Sequence, residues 1–300
     1  MTARRAPRRP RSVSSDLALT LAARLTDRDR SILDLVHQHR TFTTDQLTAL
    51  FFHSLRPAQR RLAELEDLQT LLRFQPRAMT GSISSRWALG PAGAYALAAW
   101  QGVEVKDLVY RPDRIERFLM SQHLPHQIGV NDFFVRLRAL ARSRGEGTEL
   151  AQWWPELRCA RAWGAHARPD AFGRWYEPLA GERVGLDFFL EHDTGTEPLP
   201  RVVAKLSGYI SLAQDTGTYT PVLFWLPNPT REANLRRLLS VPQVPVATAV
   251  HSTAGDGPAG AVWLPAGVTG PRRRLAALAD AWATPDRPRD LRSDRSWGLD

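Results

Sequence analysis

The spacing of apolar residues between Thr26 and Leu89 most constrains the fold, because it changes from helical to strand-like within that segment. Three helical stripes come first, with predicted caps at Thr26, at Thr43 or Thr44, and at Ser54. Two strand-length runs, LLRF and SRWALG, follow. Three helices and a hairpin match a winged helix-turn-helix, which we predict for residues 25–100.

The outer side of the third predicted helix is basic near its amino end. Its polar residues there are Arg56, Gln59, Arg60 and Arg61. A recognition helix meets base edges and phosphates with this end. The hairpin adds Arg77 and Arg86, from where a side chain reaches the DNA backbone or the minor groove. We therefore predict double-stranded DNA as the partner; a winged helix that docks another protein is the alternative.

Charge is unevenly distributed along the chain, whose net charge is +9. Residues 1–24 contain six arginines and one aspartate, and we interpret them as a disordered basic arm. Residues 151–220 contain seven basic and nine acidic residues, so they form the one acidic segment. Of the 40 basic residues only two are lysines, Lys106 and Lys205. We interpret a surviving lysine as a pointer to a position where arginine does not substitute; chance survival in an arginine-rich chain is the alternative.

Other compositional features exclude several classes of protein. The single cysteine, Cys159, excludes an internal disulfide framework and a CxxC zinc site. No run reaches the ~18 apolar residues of a membrane span. The first residues have arginines but no apolar segment typical of a secretory signal. We expect a cytoplasmic protein without a membrane partner.

The order of elements after residue 100 predicts a second domain. Residues 101–122 are interpreted as a connector, and a long helix is predicted over about 123–144. Strand-like ELAQWWPELRCARAW, two further strands, a helix over PLPRVVAKLSGYISLA and a buried strand complete an αβββαβ order within residues 123–270. Residues 271–300 are interpreted as a tail. The fold class is therefore α/β (α+β).

Three carboxylates lie where the predicted strands of the acidic segment meet. Asp170 begins one strand, while Glu191 and Asp193 end the next and share a face because they are two residues apart. Such acids repel one another unless a cation lies between them, and oxygen ligands suit Mg²⁺ or Mn²⁺. Lys205 on the following helix is placed to orient the attacking water. We predict a metal-dependent phosphodiesterase site with these four catalytic residues.

Each of these residues also has a purely structural interpretation. Asp170 could open a turn after Pro169, Asp193 could cap its own loop, and Lys205 could lie on the surface. Several neighbouring residues are assigned to capping or packing rather than to metal binding or catalysis. They are His123, His126, Asp132 and Tyr209. His192 is given no catalytic role because it would point to the opposite face of the strand from the two acids.

The order RPD, 20 residues, EHDTGTE, then Lys205 and LSGY, behind a winged helix and an H-x-x-H-x-x-x-x-N-D-F helix, resembles replication-relaxation proteins of plasmids and integrative elements. The resemblance covers about residues 25–240. It implies a PD-(D/E)xK, restriction-endonuclease-like second half, with Asp170 as the first acid and Glu191 as the second. The motif would have lysine where this chain has Asp193, so Lys205 would be a migrated lysine.

These observations support three hypotheses. In the first, the chain docks on duplex DNA and nicks it with Mg²⁺ or Mn²⁺ at the carboxylate site. In the second, it is a non-catalytic replication or transcription regulator whose nuclease-like domain is inactive. In the third, it is an interaction protein whose winged helix binds another protein of the replication complex. Other plasmid replication or mobilisation proteins are expected partners in each case.

Overall fold

The computed structural model describes residues 21, 23–75, 84–239, 242–252 and 255–282. The chain divides into two compact units, Met1–Leu124 and Pro125–Asp300. Helices and sheets occur in both units, which confirms a mixed α/β chain. No helix in the described ranges has both the length and the apolar character needed to cross a bilayer.

The first unit combines helices with a small antiparallel sheet. Its elements are α1 Asp27–His39, β1 Phe42–Thr43, α2 Thr44–Phe51, α3 Leu55–Asp67, β2 Leu71–Phe74, β3 Arg86–Leu89, α4 Pro91–Gln101 and α5 Pro112–Leu119. The strands are ordered β1-β3-β2, with β3 antiparallel to both neighbours. The predicted hairpin is therefore present as the pair β2–β3, while its tip, residues 76–83, lies outside the described residues.

Two capping boxes fix where the first helices of this unit begin. The Thr26 side chain accepts a hydrogen bond from the Asp29 backbone, and the Asp29 side chain accepts one from the Thr26 backbone. Thr43 and Gln46 form the same reciprocal pair at the start of α2. The apolar sides of the helices then meet in a core; its fully enclosed residues include Ile32, Val36, Phe42, Leu47, Leu62 and Leu71.

The second unit is built on a six-stranded mixed sheet. Its elements are α6 Leu124–Arg144, β4 Glu149–Pro155, α7 Glu156–Trp163, β5 Ala171–Leu179, β6 Glu182–His192, α8 Leu199–Ala204, α9 Leu206–Thr216, β7 Val222–Leu226, α10 Pro229–Leu238, β8 Val246–Val250 and β9 Leu264–Pro265. The order is β4-β5-β6-β7-β8-β9. Strands β6, β7 and β8 are parallel, and the other pairs are antiparallel.

Each face of this sheet carries its own apolar core. On one face α6 contributes Phe133 and Phe134, which pack with Phe188, Trp225 and Trp263 among others. On the other face Cys159 and Trp163 of α7 and Tyr209 of α9 join strand residues such as Phe172 and Phe189. The sheet is thus a middle layer between helices, which explains why β7 is buried at every position.

The structure differs from the sequence prediction in four segments. The run ELAQWWPELRCARAW is a strand only to Pro155, after which α7 buries Cys159 and Trp163 on one helical face. The single helix predicted over residues 198–213 is two helices that meet at Lys205. The connector 101–122 contains α5. The segment after residue 271 contributes Leu275, Ala276 and Leu278 to the core.

The two ends of the chain were predicted to be a disordered arm and a tail. Residues 1–20 and 22 of the arm lie outside the described residues, as do residues 283–300 of the tail. Residues 21, 23 and 24 of the arm are helical. The described part of the tail, to residue 282, therefore belongs to the folded second unit.

Candidate functional site

The strand register of the second unit brings Asp170 next to Glu191. Ala171, the first residue of β5, pairs with Leu190 of the antiparallel strand β6. Asp170 immediately precedes Ala171, and Glu191 immediately follows Leu190, so they lie side by side at one end of the hairpin. The backbone N–H of His192 donates a hydrogen bond to Asp170 Oδ2 over 2.8 Å, which ties the two strands together here.

A close approach of α6 brings a histidine to the same end of the sheet. Gly129 lies so near the His192 ring that a Cβ atom there would clash with it. On the preceding turn of α6, His126 Nε2 lies 3.1 Å from Asp170 Oδ1. The His126 and His192 rings meet edge to face, with their centroids 5.4 Å apart. Asp170 is therefore held by one side chain and one backbone donor.

A close approach of α9 supplies the partners of Glu191. A Cβ at Gly208 would clash with the backbone of His166, so only glycine allows the helix to lie this close. The next residue, Tyr209, donates its hydroxyl hydrogen bond to Glu191 Oε1 over 2.5 Å. Lys205 Nζ donates to Glu191 Oε2 over 2.9 Å. Both oxygens of this buried carboxylate consequently accept a hydrogen bond.

The pKa values of the two adjacent acids are shifted in opposite directions. Burial, reinforced by the neighbouring charge of Asp170, raises the pKa of Glu191 to about 7. Burial acts in the same direction on Asp170, but the hydrogen bond and charge of His126, with the charge of Lys205, hold its pKa below the usual value. Two neighbouring carboxylates with separated pKa values are a pattern that recurs in catalytic sites.

The pKa values of the basic residues around these acids are also shifted. Burial lowers the pKa of Lys205, but the Glu191 carboxylate outweighs it and raises the pKa overall, so Lys205 stays an ammonium. Burial also opposes the protonation of His126, yet its bond to Asp170 raises its pKa. In contrast, burial lowers the pKa of His192 to about 4, so this imidazole is neutral near pH 7.

The site keeps an opening to solvent on the side of its basic groups. The side chain of Lys205 is 39% exposed and that of Glu191 is 4% exposed. A second acid, Glu197, lies 3.4 Å from Lys205 Nζ and is itself partly exposed. The ammonium of Lys205 is therefore more accessible to solvent than the Glu191 carboxylate.

Asp193 has different partners from the other predicted acids. Its Oδ2 accepts a hydrogen bond from Arg231 Nε over 2.7 Å, and its Oδ1 accepts one from the Gly195 backbone over 2.6 Å. Arg231 also donates to the Glu197 carbonyl. Asp193 anchors the loop 193–197, whereas the register places Asp170 and Glu191 side by side, so we leave Asp193 out of the proposed site.

The donor set of the site can be compared with the needs of a divalent cation. Mg²⁺ commonly takes one or two carboxylates and fills its remaining positions with water and substrate phosphate. Asp170 and Glu191 supply two carboxylates, but each of their four oxygens already accepts one hydrogen bond, so a cation would use the remaining lone pairs. Within the described ranges, no three His, Cys, Asp or Glu side chains are arranged to hold a metal. The third predicted ligand, Asp193, is paired with Arg231.

Sequence reasoning assigned His126 and Tyr209 to packing, but the structure connects both of them to the acids. His126 lies far along the chain from Asp170, and no local pattern links them. Tyr209 was detectable in principle, because it follows Lys205 by four residues and so shares a helical face with it.

The first unit presents the predicted basic side of α3. Ala58, Leu62 and Leu65 are buried on one face of this helix. Arg56, Gln59 and Arg60 are exposed on the other. Within the described part of the chain no carboxylate pairs with these two arginines. Their donors are therefore available to a polyanion.

Arg61, which sequence reasoning also assigned to DNA contact, is engaged inside the unit. Its guanidinium donates to both oxygens of Asp29, over 3.0 and 2.6 Å, and to Glu64 over 2.6 Å. Asp29 has no exposed side-chain surface. Arg61 thus joins α3 to the start of α1, and we leave it out of the proposed interface.

Of the two arginines predicted on the hairpin, the structure describes Arg86 but not Arg77. Arg86 is the first residue of β3 and is half-buried, and this burial lowers its pKa. Arg77 lies outside the described residues, so its assignment to DNA contact stays a prediction.

Comparison with known proteins gives one match. A family model described as replication-relaxation matches residues 33–224, which is more than half of the chain. Neither the curated proteins nor the solved structures contain a match to this chain. The matched range begins within α1 and ends within β7, so it includes α3 and the residues around Asp170 and Glu191.

Proposed function

This chain belongs to the replication-relaxation family, and from that premise we propose that it binds duplex DNA in the replication or relaxation of plasmids and other mobile elements. The observation that carries the proposal is the exposed row of Arg56, Gln59 and Arg60 on α3. Arginine and glutamine are the side chains that pair with guanine and adenine edges in the major groove. In this proposal α1, α2, α3 and the β2–β3 hairpin act as a winged helix.

Replacing Arg60 with alanine is expected to weaken DNA binding by ~1–3 kcal/mol, because a bidentate base contact has that value. The measurement is a titration of labelled duplex DNA at fixed moderate salt. Arg114→Ala, an exposed arginine of α5, is the matched control and should bind as the unchanged chain does. Equal affinity of the Arg60 variant and the control would remove α3 from the interface.

A second candidate function is phosphodiester hydrolysis, with the second unit acting as a nuclease-like domain. It is favoured by the convergence of Asp170, Glu191 and Lys205, whose ammonium lies 2.9 Å from the Glu191 carboxylate. Asp170 and Glu191 would hold Mg²⁺ or Mn²⁺, which supplies an activated water and neutralises charge on the phosphate. Lys205, which is partly exposed, would contact the phosphate and stabilise its developing charge.

Loss of the Lys205 ammonium should lower nicking by about 100-fold, as expected when one donor to a developing charge is removed. The assay incubates supercoiled plasmid and the full chain with Mg²⁺ or Mn²⁺, and compares Lys205→Met and Asp170→Asn with the unchanged protein. Asp215→Asn, at an exposed position 3.2 Å from His166, controls for the loss of one negative charge in Asp170→Asn. Tight DNA binding without nicking by the unchanged protein would favour a non-catalytic regulator. Salt-insensitive binding would favour a protein-docking role instead.

A further inference from the structure

We propose that Arg28 of α1 is a further DNA-contacting residue, and that it binds a backbone phosphate beside α3. This inference rests on the proposed DNA binding of the first unit. Sequence reasoning did not select Arg28, because α1 was treated only as part of the core. The structure places its guanidinium over the ring of Phe52, with Cζ 4.5 Å from the ring centroid.

The position of Phe52 connects Arg28 to the proposed interface. Phe52 caps the carboxyl end of α2, and Ser54 at the start of α3 follows two residues later. The guanidinium therefore lies at the turn that leads into α3, whose first turns carry Arg56 and Arg60. Arg28 extends that basic surface with a residue from another helix.

The contact with Phe52 gives Arg28 a defined position without occupying its donors. A cation over an aromatic face is attracted by the electrons of the ring and leaves the edges of the guanidinium open. Phe52 itself is fixed, since it is 4% exposed. A side chain that is already held in place loses less conformational entropy when it binds DNA, so the free-energy cost of the contact is smaller.

The neighbouring charges also favour an anion at this position. The two acids adjacent to Arg28 in the sequence are both paired with other arginines: Asp27 with Arg30 at 3.2 Å, and Asp29 with Arg61 at 2.6 Å. In the described part of the unit, no carboxylate lies within ion-pair distance of Arg28. A guanidinium fork matches the geometry of phosphate oxygens, and phosphate contacts orient a protein on DNA without reading its sequence.

The test measures DNA affinity of the full-length Arg28→Ala variant at several salt concentrations, on a specific duplex and on an unrelated one. A phosphate contact predicts a several-fold loss on both duplexes and a salt slope smaller by about one. Arg30→Ala is the matched control, because Arg30 lies two residues further along α1 and is paired with Asp27. Thermal unfolding of both variants verifies that they fold.

Two further variants separate the possible outcomes. Phe52→Leu keeps an apolar side chain but removes the ring, and should lower affinity in the same direction by a smaller factor. If Arg60→Ala weakens binding while Arg28→Ala leaves both affinity and salt slope unchanged, the role of Arg28 is overturned and the proposed function stands. If neither variant changes binding, the proposed DNA interface itself is overturned.

Discussion

Replacing Arg61 with alanine is expected to lower the free energy of unfolding of the first unit by about 3–5 kcal/mol, the effect of removing one partner from a buried ion pair. Asp29 has no exposed side-chain surface, and its oxygens accept two hydrogen bonds from Arg61. Without the guanidinium, this carboxylate would remain buried with only Thr26 as its donor. Asp29 also caps α1, so the loss reaches the start of that helix.

Hydrogen exchange of the full chain measures this effect locally, because the two units need not unfold in one transition. Amides of α1 and α3 should exchange faster in Arg61→Ala, while those of the second unit should not change. Arg60→Ala, one residue away and exposed, should stay within about 0.5 kcal/mol of the unchanged protein. Adding Asp29→Asn to Arg61→Ala should restore part of the loss, and unchanged exchange in Arg61→Ala would contradict the structural role.

The contrast between Arg60 and Arg61 shows what helical periodicity can and cannot predict. The apolar stripe of α3 correctly assigned its inner face, because Leu62 and Leu65 repeat at helical spacing. Periodicity predicts which face of a helix a side chain lies on. It does not predict which residue of another helix contacts that side chain. Asp29 lies in the first turn of α1, and its pairing with Arg61 depends on how the two helices pack.

The same limit applies to the carboxylates of the second unit. Asp170 and Glu191 were predicted to meet because a hairpin brings the start of one strand to the end of the next, and the register has this arrangement. The alternation rule also placed Asp193 with them, but β6 ends at His192 and the rule applies only within a strand. His126 was missed because the packing of α6 at Gly129 is a long-range contact.

Replacing Arg231 with alanine is expected to destabilise the second unit by about 3–5 kcal/mol, because it would leave the Asp193 carboxylate buried and without its cationic partner. The two side chains are 15% and 5% exposed, and Nε lies 2.7 Å from Oδ2. The variant would also release the Glu197 carbonyl, so the loop that brings Glu197 to Lys205 would lose its anchor. Hydrogen exchange in α10 and β6 should report the change.

Mn²⁺ binding distinguishes this anchoring role from the metal-ligand role that sequence reasoning gave to Asp193. Calorimetric titration of the full chain with Mn²⁺ should give a clearly weaker affinity for Asp170→Asn, because the proposed ion keeps only one of its two carboxylates. Asp193→Asn should bind Mn²⁺ as the unchanged chain does while unfolding more readily, since Asn still accepts from Gly195 but gives Arg231 no opposite charge. Equal loss of Mn²⁺ affinity in both variants would instead make Asp193 a ligand, and would require Arg231 to release it when the cation binds.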